Sequence, residues 1–250
     1  MQTITRWAAF AAFTLAASAH AAPHSARNSL DWQGLYVGTL PCASCPGIYT
    51  EVQLLGKRSY RLSESAQHKG ESSTWVKRGR FAWNSRGNSI RMGQGSEQRQ
   101  FLVQENALEQ LAQNGSRITG ALAPHYRLAK AERYTDAAGQ ILVLTGSIQR
   151  DAAGATVQFD GRENLAEPKA AGQRSLAAHY TLRCNSKTYE MTALQYFTAL
   201  NGQGQELKLP TVVSASDSAH GKAHAGEATP IALAAGDGRM QQVFARYCHQ

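Results

Sequence analysis

The chain has 250 residues, a formal net charge of +8 and four cysteines, with 42% hydrophobic and 18% charged residues. This length allows one large or two small domains. Low charge with 22 glycines favours turn-rich β structure over long solvated helices. No apolar run reaches the roughly 20 residues a bilayer-spanning helix needs, so no spanning helix is expected.

Residues 1–21 read as a cleavable export signal. Arg6 supplies the positive start, Trp7 to Ala17 the apolar stretch, and Ala19-His20-Ala21 an A-x-A cleavage pattern. A lipid anchor would need a cysteine just after the apolar stretch, and the first is Cys42. The expectation is therefore an exported, unanchored protein, periplasmic or secreted. Export alters the meaning of the charge. The basic excess lies in residues 22–140, with 15 basic and 9 acidic side chains, but it is dispersed and accompanies no nucleic-acid-binding motif. Nucleic acid is not expected as a partner.

From 34 to 129 the chain alternates short strand-like segments with Gly/Asn/Ser turns. The segments are Leu35–Leu40, Tyr49–Leu55, Tyr60–Ser65, Thr74–Trp83, Ser89–Met92, Gln100–Val103, Ala107–Leu111 and Tyr126–Ala129. Such spacing predicts an antiparallel meander, and about eight strands suffice to close a small barrel and remove its edges. Tyr36, Trp75, Phe81, Trp83, Phe101 and Tyr126 are the expected filling, with Met92 in the same core.

The polar stretch 130–140 reads as a domain boundary, giving units at 32–130 and 141–250. The second unit has strand-like segments at Ile141–Ile148, Ala155–Phe159, Ala177–Cys184 and Thr188–Tyr196, then a Gly-rich turn at Asn201–Gly204. Residues 214–229 are low-complexity; His220 and His224, four apart within them, read as solvated rather than metal-ligating. Met240, Val243, Phe244, Tyr247 and Cys248 recur at helical spacing, with Asp237 placed to cap the start. The fold class expected is mainly β: a small antiparallel, lipocalin-like barrel followed by a small α+β unit with a C-terminal helix.

The cysteines form two unlike pairs. In an oxidising compartment the simplest pairing is one bridge per unit. A Cys184–Cys248 bridge would pin the last helix to a strand and is read as structural. Cys42 and Cys45, in Pro41-Cys42-Ala43-Ser44-Cys45-Pro46-Gly47, close too short a loop for much stabilisation. Four readings stay open: a plain turn disulfide, a thioredoxin-like pair, a reducible bridge reporting redox state, and two soft thiolates for Cu(I). The flanking prolines and strands disfavour the thioredoxin-like reading, which needs a helix N-terminus. Zinc would want four ligands, and no second free pair is present.

No G-x-S-x-G, H-E-x-x-H, P-loop or Rossmann glycine pattern occurs. Asp160 and Glu163 are close in sequence but read as part of a turn, and His68 and His125 are isolated. No catalytic residue is assigned and no enzyme activity is expected.

The stretch from Gly34 to Ile48, GLYVGTLPCASCPGI, resembles the signature of the NlpE N-terminal domain family of copper-resistance and envelope-stress lipoproteins. The likeness continues through G-x-F-x-W at Gly79–Trp83, F-x-V-x-E-N-x-L at Phe101–Leu108, L-x-Q-N-G-x-x-I at Leu111–Ile118 and Tyr126-Arg127-Leu128. It implies a lipocalin-like barrel and a metal or redox-sensing role for Cys42 and Cys45, with copper the candidate ligand. The second half is similar to the surface-adhesin protein E-like domain at Arg183-Cys184-Asn185, Lys187-Thr188-Tyr189 and Cys248. That similarity implies the Cys184–Cys248 bridge and a binding module rather than an enzyme. The chain departs from NlpE proteins in lacking the lipid-anchor cysteine. Two functions are thus expected to compete. One is copper homeostasis or envelope-stress sensing through Cys42 and Cys45, with a metal ion or an envelope sensor as partner. The other is a ligand-binding or adhesion module for a small ligand or surface protein, with purely structural disulfides.

Overall fold

The computed structural model describes residues 25–68, 71–209 and 230–248. Residues 1–21, expected to be an export signal, and the tract carrying His220 and His224 lie outside them. A short helix α1 (Ala26–Ser29) precedes a long meander. Its strands are β1 (Gly34–Leu40), β2 (Ile48–Leu54), β3 (Ser59–His68), β4 (Glu71–Arg80), β5 (Ala82–Trp83), β6 (Ser89–Met92), β7 (Arg99–Gln104), β8 (Ala107–Gln110) and β9 (Arg127–Asp136). The second half contributes β10 (Gly139–Leu144), β11 (Gln149–Arg150), β12 (Thr156–Leu165), β13 (Ser175–Arg183), β14 (Thr188–Phe197), β15 (Glu206–Leu207) and β16 (Ile231–Ala232). Helix α2 (Gly238–Tyr247) ends the described chain. The protein is mainly β and antiparallel, as its turn-punctuated sequence predicts.

The strands join one antiparallel sheet in the order β15-β14-β13-β12-β10-β9-β1-β2-β3-β4, with β5 to β8 branching from β9. Strand β9 is the fork. Ala129 to Ala131 pair with β1 on one side; Arg127 to Ala129 pair with β8 and Ala131 to Asp136 with β10 on the other. The 130–140 stretch, read as a boundary, is therefore strand and tight turn rather than an irregular connector. Its polar side chains are spent on ion pairs: Lys130 with Asp31, Arg133 with Glu51, Glu132 with Arg246 and Asp136 with Arg239.

Two large cores flank the fork, and a smaller cluster of Val37, Tyr49, Ala131 and Leu142 lies on it. The first collects Tyr36, Val52, Leu54, Tyr60, Leu62, Phe81, Ile90, Met92, Phe101 and Leu128. Trp32, Phe81 and Trp83 meet edge-on at its rim, with centroids 5.6 to 6.0 Å apart. The second core is built by strict alternation. Val157, Phe159, Gly161 and Glu163 face inward on β12, and Leu176, Ala178, Tyr180 and Leu182 on β13. Phe159 stacks on Tyr180 at 5.0 Å, and a Cβ at Gly161 would come within 2.6 Å of that tyrosine ring. Helix α2 lays Met240, Val243, Phe244 and Tyr247 on this face. Burial of each is worth about 1.5–3 kcal/mol. Asp237 accepts from Met240 N at 3.1 Å, capping the helix as expected.

The first half stays open where closure was expected. No ladder joins β4 to β5, β6 or β7. Two ion pairs span the seam instead, Lys77–Glu97 at 2.9 Å and Arg99–Glu64 at 3.5 Å. Trp75, expected in the core, sits on β4 and is 51% exposed because no strand lies beyond it. Among the described residues no helix is long and apolar enough to cross a membrane.

Candidate functional site

Pairing of Thr39 with Tyr49 and of Leu40 with Ile48 clamps the base of the loop carrying Cys42 and Cys45. Gly47 closes it. A Cβ there would lie 2.5 Å from Thr39 Cγ2, so the return of the chain beside β1 requires glycine. Cys42 and Cys45 are joined by a disulfide with their Cα atoms 5.3 Å apart. Both are half-buried, while Ala43, Ser44 and Pro46 between and beside them are exposed. The bridge therefore sits at the surface, on a loop whose two ends are held in a rigid ladder. Tyr49, the first buried ring beyond the loop, has its phenol pushed up by burial and then by Glu51, so it stays un-ionised.

The second half reaches this loop. A 3₁₀ turn at Leu200–Gly202 is tied down by Asn164, which accepts from Asn201 N at 2.6 Å, and by Ser175 Oγ, which accepts from Gly202 N at 2.9 Å. The turn presents Gln203, a buried residue, whose amide donates to Gly47 O at 3.3 Å and Ser65 O at 3.1 Å. Sequence reading found the Asn201–Gly204 turn but not this side chain, because nothing local marks a contact made 156 residues away.

Cys184 and Cys248 form the second disulfide, across 64 residues. It joins the end of β13 to the end of α2 beside the second core. No cysteine is free. Met92 is buried in the first core rather than directed at Cys42. Among the described residues no group of three or more His, Cys, Asp and Glu is placed to hold a metal ion. Among the described residues the soft donors at the loop are the two sulfurs, a set that suits two-coordinate Cu(I) once reduced and does not suit zinc.

Asp160 and Glu163, read as residues of a turn, lie on β12 with different fates. Asp160 is exposed and meets His179 Nδ1 at 2.9 Å. Glu163 is buried, accepts from Tyr180 OH at 2.5 Å and pairs with Arg239 at 3.2 Å. Burial pushes its carboxyl above the ordinary glutamate range; Arg239 and Tyr180 oppose this without cancelling it. Arg239 also pairs with Asp136 at 3.2 Å, so the group ties α2 to β9 and β12.

The NlpE N-terminal domain family matches residues 36–121, a span running from within β1 past β8 and including the Cys42–Cys45 loop. A solved structure from Shewanella oneidensis, described as a lipoprotein, is 42% identical over 42% of this chain and 94% of its own, with TM-score 0.40. Residues 36–121 carry the NlpE N-terminal domain, and this part of the chain belongs to that family. Two further solved structures resemble it more distantly. The Cpx pathway activator NlpE from Escherichia coli is 18% identical, covering 70% of this chain and 89% of its own, with TM-score 0.31. Haemophilus influenzae protein E is 17% identical, covering 48% and 87%, with TM-score 0.30. No curated protein matches the chain.

Proposed function

We propose that this is a non-enzymatic, exported protein of the cell envelope that uses Cys42 and Cys45 as a reversible thiol pair. Bridged, the pair reports an oxidising envelope. Reduced by thiol–disulfide exchange with a dithiol protein or small dithiol, which leaves as its own disulfide, the pair becomes two thiols, and their thiolates offer Cu(I) the low-coordinate sulfur site it prefers. A partner in the envelope, a sensor or a surface protein, would read the change.

One observation supports this above the rest. The bridge spans three residues on an exposed loop, where it adds little stability, while a second bridge already staples the helix. The match to the NlpE N-terminal domain over 36–121 includes this loop, which supports the reading.

Differential alkylation with mass spectrometry, run across a redox titration with and without Cu(I), tests the reading. Cys42 and Cys45 should become labelled at a higher potential than Cys184 and Cys248. Cu(I) should protect the reduced pair at one equivalent. If Cys42→Ser/Cys45→Ser binds Cu(I) as tightly as the parent, the metal role fails. If the two bridges reduce together, the redox role fails and the adhesion-module reading gains.

A further inference from the structure

The edges of this sheet are unequal. Strands β5, β11, β15 and β16 each have one neighbour and are two residues long. Strand β4 also has one neighbour, β3, yet runs for ten residues. It carries no proline, and its register with β3 is unbroken from Ser59–Arg80 to His68–Glu71, so no bulge twists it away. From Ser72 to Arg80 every residue is exposed except Lys77, which is half-buried. A long, unbroken edge with a free row of N–H and C=O groups is a template for another strand, which folded proteins ordinarily shorten, bend, charge or cover.

The side chains along this edge specify what could pair with it. Register places Trp75 and Lys77 opposite Glu64 and Leu62, on the face turned toward the first core. Val76, Arg78 and Arg80 take the outer face, opposite Ser63, Arg61 and Ser59. Trp75 and Val76 are two of the few large apolar side chains exposed among the described residues, at 51% and 43%, and they are adjacent. Lys77, Arg78 and Arg80 follow directly, with Arg61 beside Arg78. Among the described residues, of these three Lys77 has a carboxylate partner, Glu97, and that pair lies in the open seam. Charges spread along an edge guard it against aggregation. An apolar pair running into three cations instead matches a strand of complementary order.

We propose that β4 is a docking edge for an extended segment of a partner protein, apolar at one end and acidic at the other. The segment adds as a further strand beside β4. Main-chain hydrogen bonds hold it, its apolar residues cover Trp75 and Val76, and its carboxylates face Lys77, Arg78 and Arg80. This places partner recognition on the edge strand and leaves the Cys42–Cys45 loop free.

The test uses the full mature chain and two fluorescein-labelled peptides, each a block of valines joined to a block of glutamates, in either order. One of the two should bind, more weakly as salt rises, and its analogue with lysines for glutamates should not. N-methylation of alternate peptide residues should abolish binding for the set facing β4 and spare it for the other set. Trp75→Ser, and separately Arg78→Glu/Arg80→Glu, should each weaken binding roughly fivefold, the ratio that about 1 kcal/mol of exposed contact corresponds to. All three positions are exposed, so a melting curve unchanged from the parent shows the fold retained. The proposal is overturned if neither peptide binds, or if both N-methylated sets bind alike. It is equally overturned if the edge instead supports Trp75-dependent self-association or binding to phosphatidylglycerol vesicles while the peptides fail.

Discussion

The side-chain amide of Gln203 donates to the main-chain carbonyl of Gly47 at 3.3 Å, joining residues 156 apart in sequence. Gly47 is the last residue of the loop that holds the Cys42–Cys45 bridge, and Gln203 hangs from a turn fixed by Asn164 and Ser175 in the other half. Gln203→Leu keeps the volume and removes both hydrogen bonds made by the amide. It should cost about 1–3 kcal/mol, the usual penalty for buried polar groups losing a partner. It should also speed reduction of Cys42–Cys45 by dithiothreitol while leaving Cys184–Cys248 unchanged, followed by timed alkylation. Equal reduction rates in parent and variant would show that the amide does not restrain the loop.

Gly47→Ala tests the other side of the same loop. The added Cβ would meet Thr39 Cγ2 at 2.5 Å, so β1 and the loop must move apart. A loss of about 1–3 kcal/mol is expected from such overpacking, read from urea denaturation. Thr39→Ala in the same chain removes the clashing methyl and should restore part of the loss. No restoration would place the cost in the backbone conformation of Gly47 alone.

The two disulfides should differ in what they contribute to stability. By the chain-entropy model, Cys184→Ala/Cys248→Ala removes a cross-link over 64 residues and should cost about 4 kcal/mol. Cys42→Ala/Cys45→Ala opens a separation of three and should cost about 2 kcal/mol at most. Denaturation midpoints of the two variants decide this; a reversed order would make the loop bridge the staple.

Buried Glu163 sets a pH dependence with a definite sign. Its carboxyl titrates higher in the folded chain than the ordinary value of 4.5, because burial disfavours the charge more than Arg239 and Tyr180 favour it. The folded state then binds the proton more tightly than the unfolded state. This contribution to stability is complete below the unfolded value and is lost as pH rises through the folded one. Glu163→Gln keeps an acceptor for Tyr180 and cannot ionise. Relative to the variant, the parent should lose stability as pH rises from about 4.5 toward neutrality. A parent-minus-variant difference that is flat with pH would contradict the shift.

Much of this architecture can be read locally. Helix α2 follows from the spacing of Met240, Val243, Phe244 and Tyr247, and Asp237 caps it as its side chain allows. Strand β6 occupies the expected Ser89–Met92, where Ile90 and Met92 alternate with exposed Arg91. Other features depend on partners distant in sequence. Lys130, Glu132, Arg133 and Asp136 make β9 look like a linker, since only Leu128 and Ala131 on that strand are buried and its charges pair with distant residues. Trp75 has the composition of a core residue and lacks only a neighbouring strand, which no local pattern can report. Glu163 reads from sequence as part of a turn with Asp160, but its odd-numbered position on β12 turns it inward with Val157 and Phe159. The Cys42–Cys45 loop was visible as a motif; its hold on Gln203 was not.

Because β9 is shared, the two halves are one mechanical piece. A force along β9 would load its ladders with β1, β8 and β10 in shear, many hydrogen bonds at once, instead of unzipping them singly. Neither half can swivel about the 130–140 stretch without tearing a strand, so strain arising at one end of the sheet travels down a stiff beam rather than being lost in a hinge.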